Sequence, residues 1–267
     1  MNRTDFRHTF GPWAVVAGAS EGLGRAYAEA LAARGLDILL LARRGEPLEA
    51  VATALRSAHG VAAHPVVLDL AADDVEAQLR AAVAGRDVGL LVYDAAATRI
   101  QPFADAPLDA HRRIVDVNCR GPVAACHVLV PGLRARGRGG IVLMSSMSSL
   151  QGSALIASYA ASKAFNTILA ESLWEELRHD GVHVLASIAG AVSTPSYRQN
   201  TPADKQRKAM PMTPEAVAAQ TLDALARGRG PRFVPGRINR LVYVLSGLFG
   251  SRARTRFFSR ATRDLYG

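Results

Sequence analysis

Cysteine is nearly absent from this chain: two of 267 residues, Cys119 and Cys126. If both are helical they lie seven positions and about 10 Å apart at roughly 1.5 Å per residue, beyond the ~7 Å that a disulfide spans. They read as reduced thiols, and no disulfide framework organises the chain. Long apolar runs are missing too. None approaches the roughly 20 residues needed to cross a bilayer, and the opening MNRTDFRHTFGPW lacks the apolar core of a secretory signal, so a cytoplasmic location is expected. Acid is scarce relative to base, 23 Asp and Glu against 32 Lys and Arg, for a formal net charge of +9. The basic residues are scattered until the C-terminus and accompany no nucleic-acid recognition motif, so an anionic small molecule is favoured over nucleic acid. Repeats and low-complexity segments are absent, and 49% hydrophobic with 21% charged residues describes a soluble globular chain with one large core.

What is present centres on Ile141 to Lys163, IVLMSSMSSLQGSALIASYAASK. Four apolar residues read as a buried strand, a hydroxyl-rich turn follows, and a helix then carries Tyr159 and Lys163. Positions four apart share a helix face, so phenol and ammonium are neighbours, and the positive charge is expected to lower the tyrosine pKa from about 10. Ser146 ends the strand, and a chain turning back from strand into helix places its hydroxyl beside the phenol. The pair can hold one carbonyl oxygen. Ile168, Leu169, Leu173 and Leu177 are expected to bury the other face of this helix.

Near the start, Trp13 to Gly18 reads as a first strand, followed directly by the turn Gly18-Ala19-Ser20-Glu21-Gly22-Leu23-Gly24 and an amphipathic helix. Gly18 allows a tight turn, Gly22 lets backbone approach a pyrophosphate, and Gly24 lets helix and strand pack closely, while the helix N-terminus offers free N–H groups to phosphate. Further strands are legible at Asp37–Ala42, around Val61–Asp69, at VGLLVY before Asp94, at VHVLASI and at RFVP. Between Leu108 and Arg136 a long helical pattern is interrupted at Gly121-Pro122 and again at Pro131, with Asn118 just ahead of the first break.

This ordered set, with G-x-x-x-G-x-G, Asn118, Ser146, Tyr159-x-x-x-Lys163 and Gly190 to Thr194, resembles the short-chain dehydrogenase/reductase family over roughly residues 10 to 235. The resemblance implies a single doubly wound Rossmann-type α/β domain across residues 1–267: seven parallel strands in the order 3-2-1-4-5-6-7, helices on both faces, and the site at the carboxyl ends of the strands. It implies reduction of a ketone, or oxidation of the matching secondary alcohol, with Asn118, Ser146, Tyr159 and Lys163 as the catalytic set. A dinucleotide would be held by Gly18, Ser20, Gly22, Leu23 and Gly24, by Asp69 at the adenine amino group, by the Leu70 backbone, by Asp94 and Ala95, by Tyr159 and Lys163 at the nicotinamide ribose, and by Gly190 and Thr194 at the carboxamide. Asn118 would anchor a water that links Lys163 to solvent. Arg43 and Arg44 end the second strand with no acid beside them, which suits the 2′-phosphate of NADP(H) better than the free ribose of NAD(H); Glu21 is the opposing charge.

The chain also departs from the family pattern. Asp94-Ala95-Ala96 stands where Asn-Ala-Gly is usual, and Ala189 where proline is usual. The aspartate cannot donate as an amide does, which motivates a rival reading as a dinucleotide-binding sensor or assembly protein without turnover. Residues 195–212 read as a mobile lid. Residues 236–267, apolar and then rich in arginine, are expected to pack on a partner subunit of a homodimer or homotetramer, or on the pocket, rather than on a membrane surface. The substrate is expected to be a small apolar carbonyl compound.

Overall fold

The unbroken apolar runs become the strands of one parallel sheet, because strands covered on both faces need no polar alternation. In a computed structural model that describes residues 1–266, β1 (Trp13–Ala17), β2 (Asp37–Ala42), β3 (Ala63–Val67), β4 (Val88–Tyr93), β5 (Gly139–Ser146), β6 (Val182–Ala189) and β7 (Arg232–Phe233) pair in the order 3-2-1-4-5-6-7. Every pairing is parallel, with Val15 opposite Leu39 on one side and Leu91 on the other. The last strand is reduced to two residues.

Alternate side chains feed two cores. Ala14, Val16, Ile38, Leu40, Leu90, Val92, Val142 and Met144 face one layer, built from α1 (Arg3–Phe10), α2 (Gly22–Ala33), α3 (Gly45–His59) and α9 (Pro214–Ala226). Val15, Leu39, Leu41, Leu91, Ile141 and Leu143 face the other, covered by α4 (Val75–Val83), α6 (Gly121–Arg136) and α7 (Ala157–Glu176). The N-terminal α1 has no counterpart in the sequence reading. Phe6 and Phe10, four positions apart, are buried against the sheet with ring centroids 4.8 Å apart, and they anchor an otherwise polar helix.

Two expectations about helices are corrected. The break expected at Gly121-Pro122 lies earlier: α5 (Leu108–Val115) runs into a π-turn over Asp116–Arg120, and α6 then continues through Pro131 without interruption. Asn118 therefore sits inside the irregularity, not ahead of it. On α7, Leu177 is buried and Leu169 and Leu173 are partly so, but Ile168 is 55% exposed; it falls on the outward side of the helix.

The segment expected as an irregular lid begins with a helical turn and a half, α8 (Pro195–Asn200), and continues in turns to Met210. Thr194 starts it by accepting from the Tyr197 N–H, and the segment is closed by a bridge between Val192 and Met212. Beyond β7 the chain continues in two more helices, α10 (Arg237–Ser246) and α11 (Ser251–Tyr266). No described helix is long and apolar enough to cross a membrane.

Candidate functional site

The carboxyl ends of β1, β2, β4, β5 and β6 converge on a cleft of about 820 Å³. Its floor is the glycine turn. Gly18 has φ +91°, and a Cβ there would fall 2.7 Å from the Ala95 nitrogen; a Cβ on Gly24 would fall 2.1 Å from the Gly18 carbonyl oxygen. Only glycine lets strand, helix and the Asp94-Ala95 turn meet so closely. Glu21 occupies the N-cap of α2 without a side-chain cap bond, so the first N–H groups of that helix stay available to an anion. Ser20, Gly22 and Leu23 line the cleft beside them. This cradle is open to a pyrophosphate, and a side chain at Gly18 would abolish it.

The two arginines after β2 behave differently. Arg44 lies 2.9 Å from the Glu21 carboxylate and 3.4 Å from Ser20 Oγ, so the acid expected to oppose an anion is already neutralised. Arg43 lines the cleft, is exposed, and has no ion pair among the described residues. At the end of the next strand, Asp69 and Leu70 line the same region. Both Asp69 oxygens accept from Arg113, at 2.9 and 2.7 Å, and this fork holds the carboxyl below its usual range. Arg113 was invisible in the sequence: it lies 44 positions from its partner.

Ser146 and Tyr159 both line the cleft at the end of β5. Ser146 Oγ accepts from the Ser148 N–H at 3.1 Å and donates to Ser148 Oγ at 3.2 Å, and it lies near enough to the Tyr159 phenol to favour the phenolate. The helix that carries Tyr159 is pinned to β5 from inside: Ser145 Oγ donates to the Lys163 carbonyl at 2.8 Å and bonds Thr167 Oγ1 at 2.7 Å. Lys163 is buried, with Nζ donating to the Met144 carbonyl at 3.0 Å and lying 5.6 Å from the Tyr159 ring centroid.

The expected lowering of the tyrosine pKa does not appear. Burial pushes Tyr159 up to about 12, and the Ser146 hydroxyl only offsets part of the rise; Tyr266 and Asp94 raise it further. Burial also depresses Lys163 to about 8 despite the nearby Asp94, and pushes Asp94 up to about 6. Desolvation disfavours each charged form more strongly than the neighbouring charges favour it.

Asn118 is fully buried, and its amide is engaged: Oδ1 accepts from the Ala97 N–H at 2.7 Å, and Nδ2 donates to the Ala97 carbonyl and to Ser162 Oγ, both at 2.9 Å. It ties the irregular segment following Asp94 to the helix of Tyr159. Thr194 and Gly190 line the far wall. Thr194 Oγ1 accepts from the Tyr197 N–H at 3.1 Å, which leaves its hydroxyl proton free to donate. A Cβ on Gly190 would fall 2.6 Å from Asn239 of α10, a contact sequence reading missed.

The two C-terminal helices complete the cleft. Asn239, Val242, Phe258, Ala261, Leu265 and Tyr266 line it. Helix α11 is fastened to the loop after Ser146: Ser259 Oγ accepts from the Ala154 N–H at 3.0 Å, and Thr262 Oγ1 bonds Ser153 Oγ at 2.7 Å. Between these anchors Leu155 takes a left-handed φ of 67°. Of the packing expected for this tail, α11 covers the pocket.

Residues 12–205 match the family model described as short chain dehydrogenase. The chain is 35% identical to the rat protein named inactive hydroxysteroid dehydrogenase-like protein 1, across 70% of this chain and 58% of that one. A solved 7β-hydroxysteroid dehydrogenase superposes with a TM-score of 0.89 at 27% identity, covering 97% of this chain and 99% of that one. A short-chain dehydrogenase from Sphingobium yanoikuyae in complex with NADPH superposes with a TM-score of 0.74 at 26% identity, over 89% and 95% of the two chains.

Proposed function

Since the chain belongs to the short chain dehydrogenase family of oxidoreductases, we propose that it is an NADP(H)-dependent carbonyl reductase acting on a bulky apolar ketone, or on the matching secondary alcohol. The observation that carries this reading is the placement of Ser146 and Tyr159 together in the cleft at the end of β5, with Lys163 one turn beyond the phenol. The cleft fits a dinucleotide: Gly18 leaves room for backbone approach, α2 presents uncapped N–H groups, and Arg43 offers an unpaired guanidinium where a 2′-phosphate would lie. A similar protein was solved with NADPH, which supports the same choice.

When bound, NADPH supplies the hydride. Ser146 Oγ and Tyr159 Oη hold the carbonyl oxygen between them, and Tyr159 gives its phenolic proton to that oxygen as negative charge develops there. A phenol near 12 is a poor donor in water but transfers readily to an alkoxide, whose conjugate acid is weaker still. Lys163 keeps its ammonium against the Met144 carbonyl and stabilises the tyrosinate left behind. Asn118 acts on this picture through position: its three hydrogen bonds fix the helix that carries the tyrosine. Met147, Ile156, Val242, Phe258 and Leu265 make the substrate side apolar, and the likeness to a hydroxysteroid dehydrogenase supports a fused-ring ketone.

Tyr159→Phe tests the assignment. Turnover of NADPH with a reactive ketone should fall by about two to four orders of magnitude, the usual contribution of a general acid, while nucleotide binding stays intact. Turnover within a few-fold of wild type would refute it. The second reading, a binding protein without turnover, is favoured by the relative named inactive; it predicts tight NADPH binding with no oxidation across a panel of ketones.

A further inference from the structure

An exposed apolar surface outside the cleft belongs to α10 and the turn after it. Ile238, Leu241, Leu245 and Leu248 recur at helical spacing and are 54%, 59%, 45% and 78% exposed, with Val244 and Phe249 beside them at 64% and 59%. Such a stripe ordinarily faces a core or a partner. Here the opposite side of the helix already has its place, because Asn239 and Val242 line the cleft and Ser246 is buried.

The charge around this stripe is one-sided. Between residues 236 and 266 the chain holds seven arginines, at 237, 240, 252, 254, 256, 260 and 263, against the single acid Asp264. Elsewhere among the described residues many arginines are matched, Arg7, Arg34, Arg44, Arg113 and Arg134 each lying against a carboxylate, although Arg43 and some others are not. Among the described residues no arginine of these two helices forms an ion pair. Arg237 and Arg240 flank the apolar stripe directly, and Arg252, Arg256 and Arg260 are exposed on α11 beside the exposed Phe257.

We propose that the outer face of α10, with the exposed arginines of α11, docks on an anionic lipid surface. The apolar stripe would enter the headgroup boundary while the guanidinium groups meet lipid phosphates, which is the combination interfacial helices use. A second copy of the same face is the poorer occupant, since it brings seven more arginines and no acidic surface to receive them. The sequence-based preference for a subunit contact is thus divided: α11 closes the pocket, and α10 faces outward.

The test is sedimentation of the full chain with vesicles of phosphatidylcholine alone and with added phosphatidylserine, at low and physiological salt, alongside its solution mass by light scattering. Binding should require the anionic lipid and weaken with salt. Each arginine near the surface contributes about fivefold, so Arg252→Gln, Arg256→Gln and Arg260→Gln together should weaken it by about 100-fold. Leu241→Asp with Leu245→Asp should abolish it while NADPH binding persists, which shows that the variant is folded. The proposal is overturned if the wild type ignores anionic vesicles, if the triple arginine variant binds as well as wild type, or if the leucine variant merely converts a dimer to a monomer.

Discussion

Replacing Asp94 with asparagine is the perturbation that reads the charge balance of the cleft most directly. The residue follows β4, with its carboxyl beside Gly24 and near Lys163; burial nonetheless pushes that carboxyl up from 3.8 to about 6. A carboxyl whose folded pKa exceeds its unfolded value favours the fold while protonated. That contribution is complete below the unfolded pKa and is lost as pH rises through the folded one. At ~1.36 kcal/mol per pKa unit, a rise of about two units makes the wild type lose roughly 3 kcal/mol relative to Asp94→Asn between about pH 4 and about pH 7. For a chain of this size that corresponds to a gap of roughly 6–12 °C in Tm. Thermal melting of both proteins without nucleotide, across a pH series, should show the gap opening in favour of the variant, half-developed near pH 5, between the unfolded and folded pKa values, and nearly complete by about pH 6. Lys163 acts at the alkaline end with the opposite sign: its pKa is depressed from 10.5 to about 8, so its stabilisation is present above 10.5 and is lost as pH falls through 8. A gap between the two proteins that stays constant from about pH 4 to about pH 7 would refute the reasoning, because the carboxylate would then be solvated.

Arg43→Ala should weaken NADPH by about 10- to 150-fold, at roughly 1.5–3 kcal/mol for a charge-assisted hydrogen bond, and leave NADH nearly unchanged; Arg43→Asp should reverse the preference. Titration of both nucleotides checks this, and equal weakening would reduce Arg43 to a solvated turn residue. Phe258→Ala should lower kcat/KM for a bulky ketone by about tenfold, on the order of half the burial energy of a phenylalanine, without changing the Kd for NADPH or the rate with a small ketone. Comparing the two substrates tests whether α11 is the substrate wall.

The sheet was legible because its strands are uninterrupted apolar runs between turn residues, and their order followed from the resemblance. That Ser146 and Tyr159 would line one cleft was legible from the strand-turn-helix order. What failed to show was whatever depends on distance in sequence or on burial. Helix α1 is mostly polar, and nothing local reveals that Phe6 and Phe10 find the sheet. Arg113 meets Asp69 across 44 positions, and Asn239 meets Gly190 only once the tail has folded back. Counting charges suggested that Lys163 would lower the tyrosine pKa, whereas desolvation, which no spacing reports, moved it the other way. Likewise Ile168 fits an apolar helix face by spacing, yet that side of α7 carries no covering layer and leaves it 55% exposed.

The fastening of α11 to the loop after Ser146 divides the cleft between two portions of the chain. The family match ends at residue 205, and it contains the hydroxyl pair, the lysine and the glycine turn. Phe258, Ala261, Leu265 and Tyr266 come from beyond it and are joined through Ser259 and Thr262. On the proposed roles, heritable change can act on the two portions separately: substitutions along one helix would reshape which molecule is admitted, while the groups proposed to move the proton stay as they are.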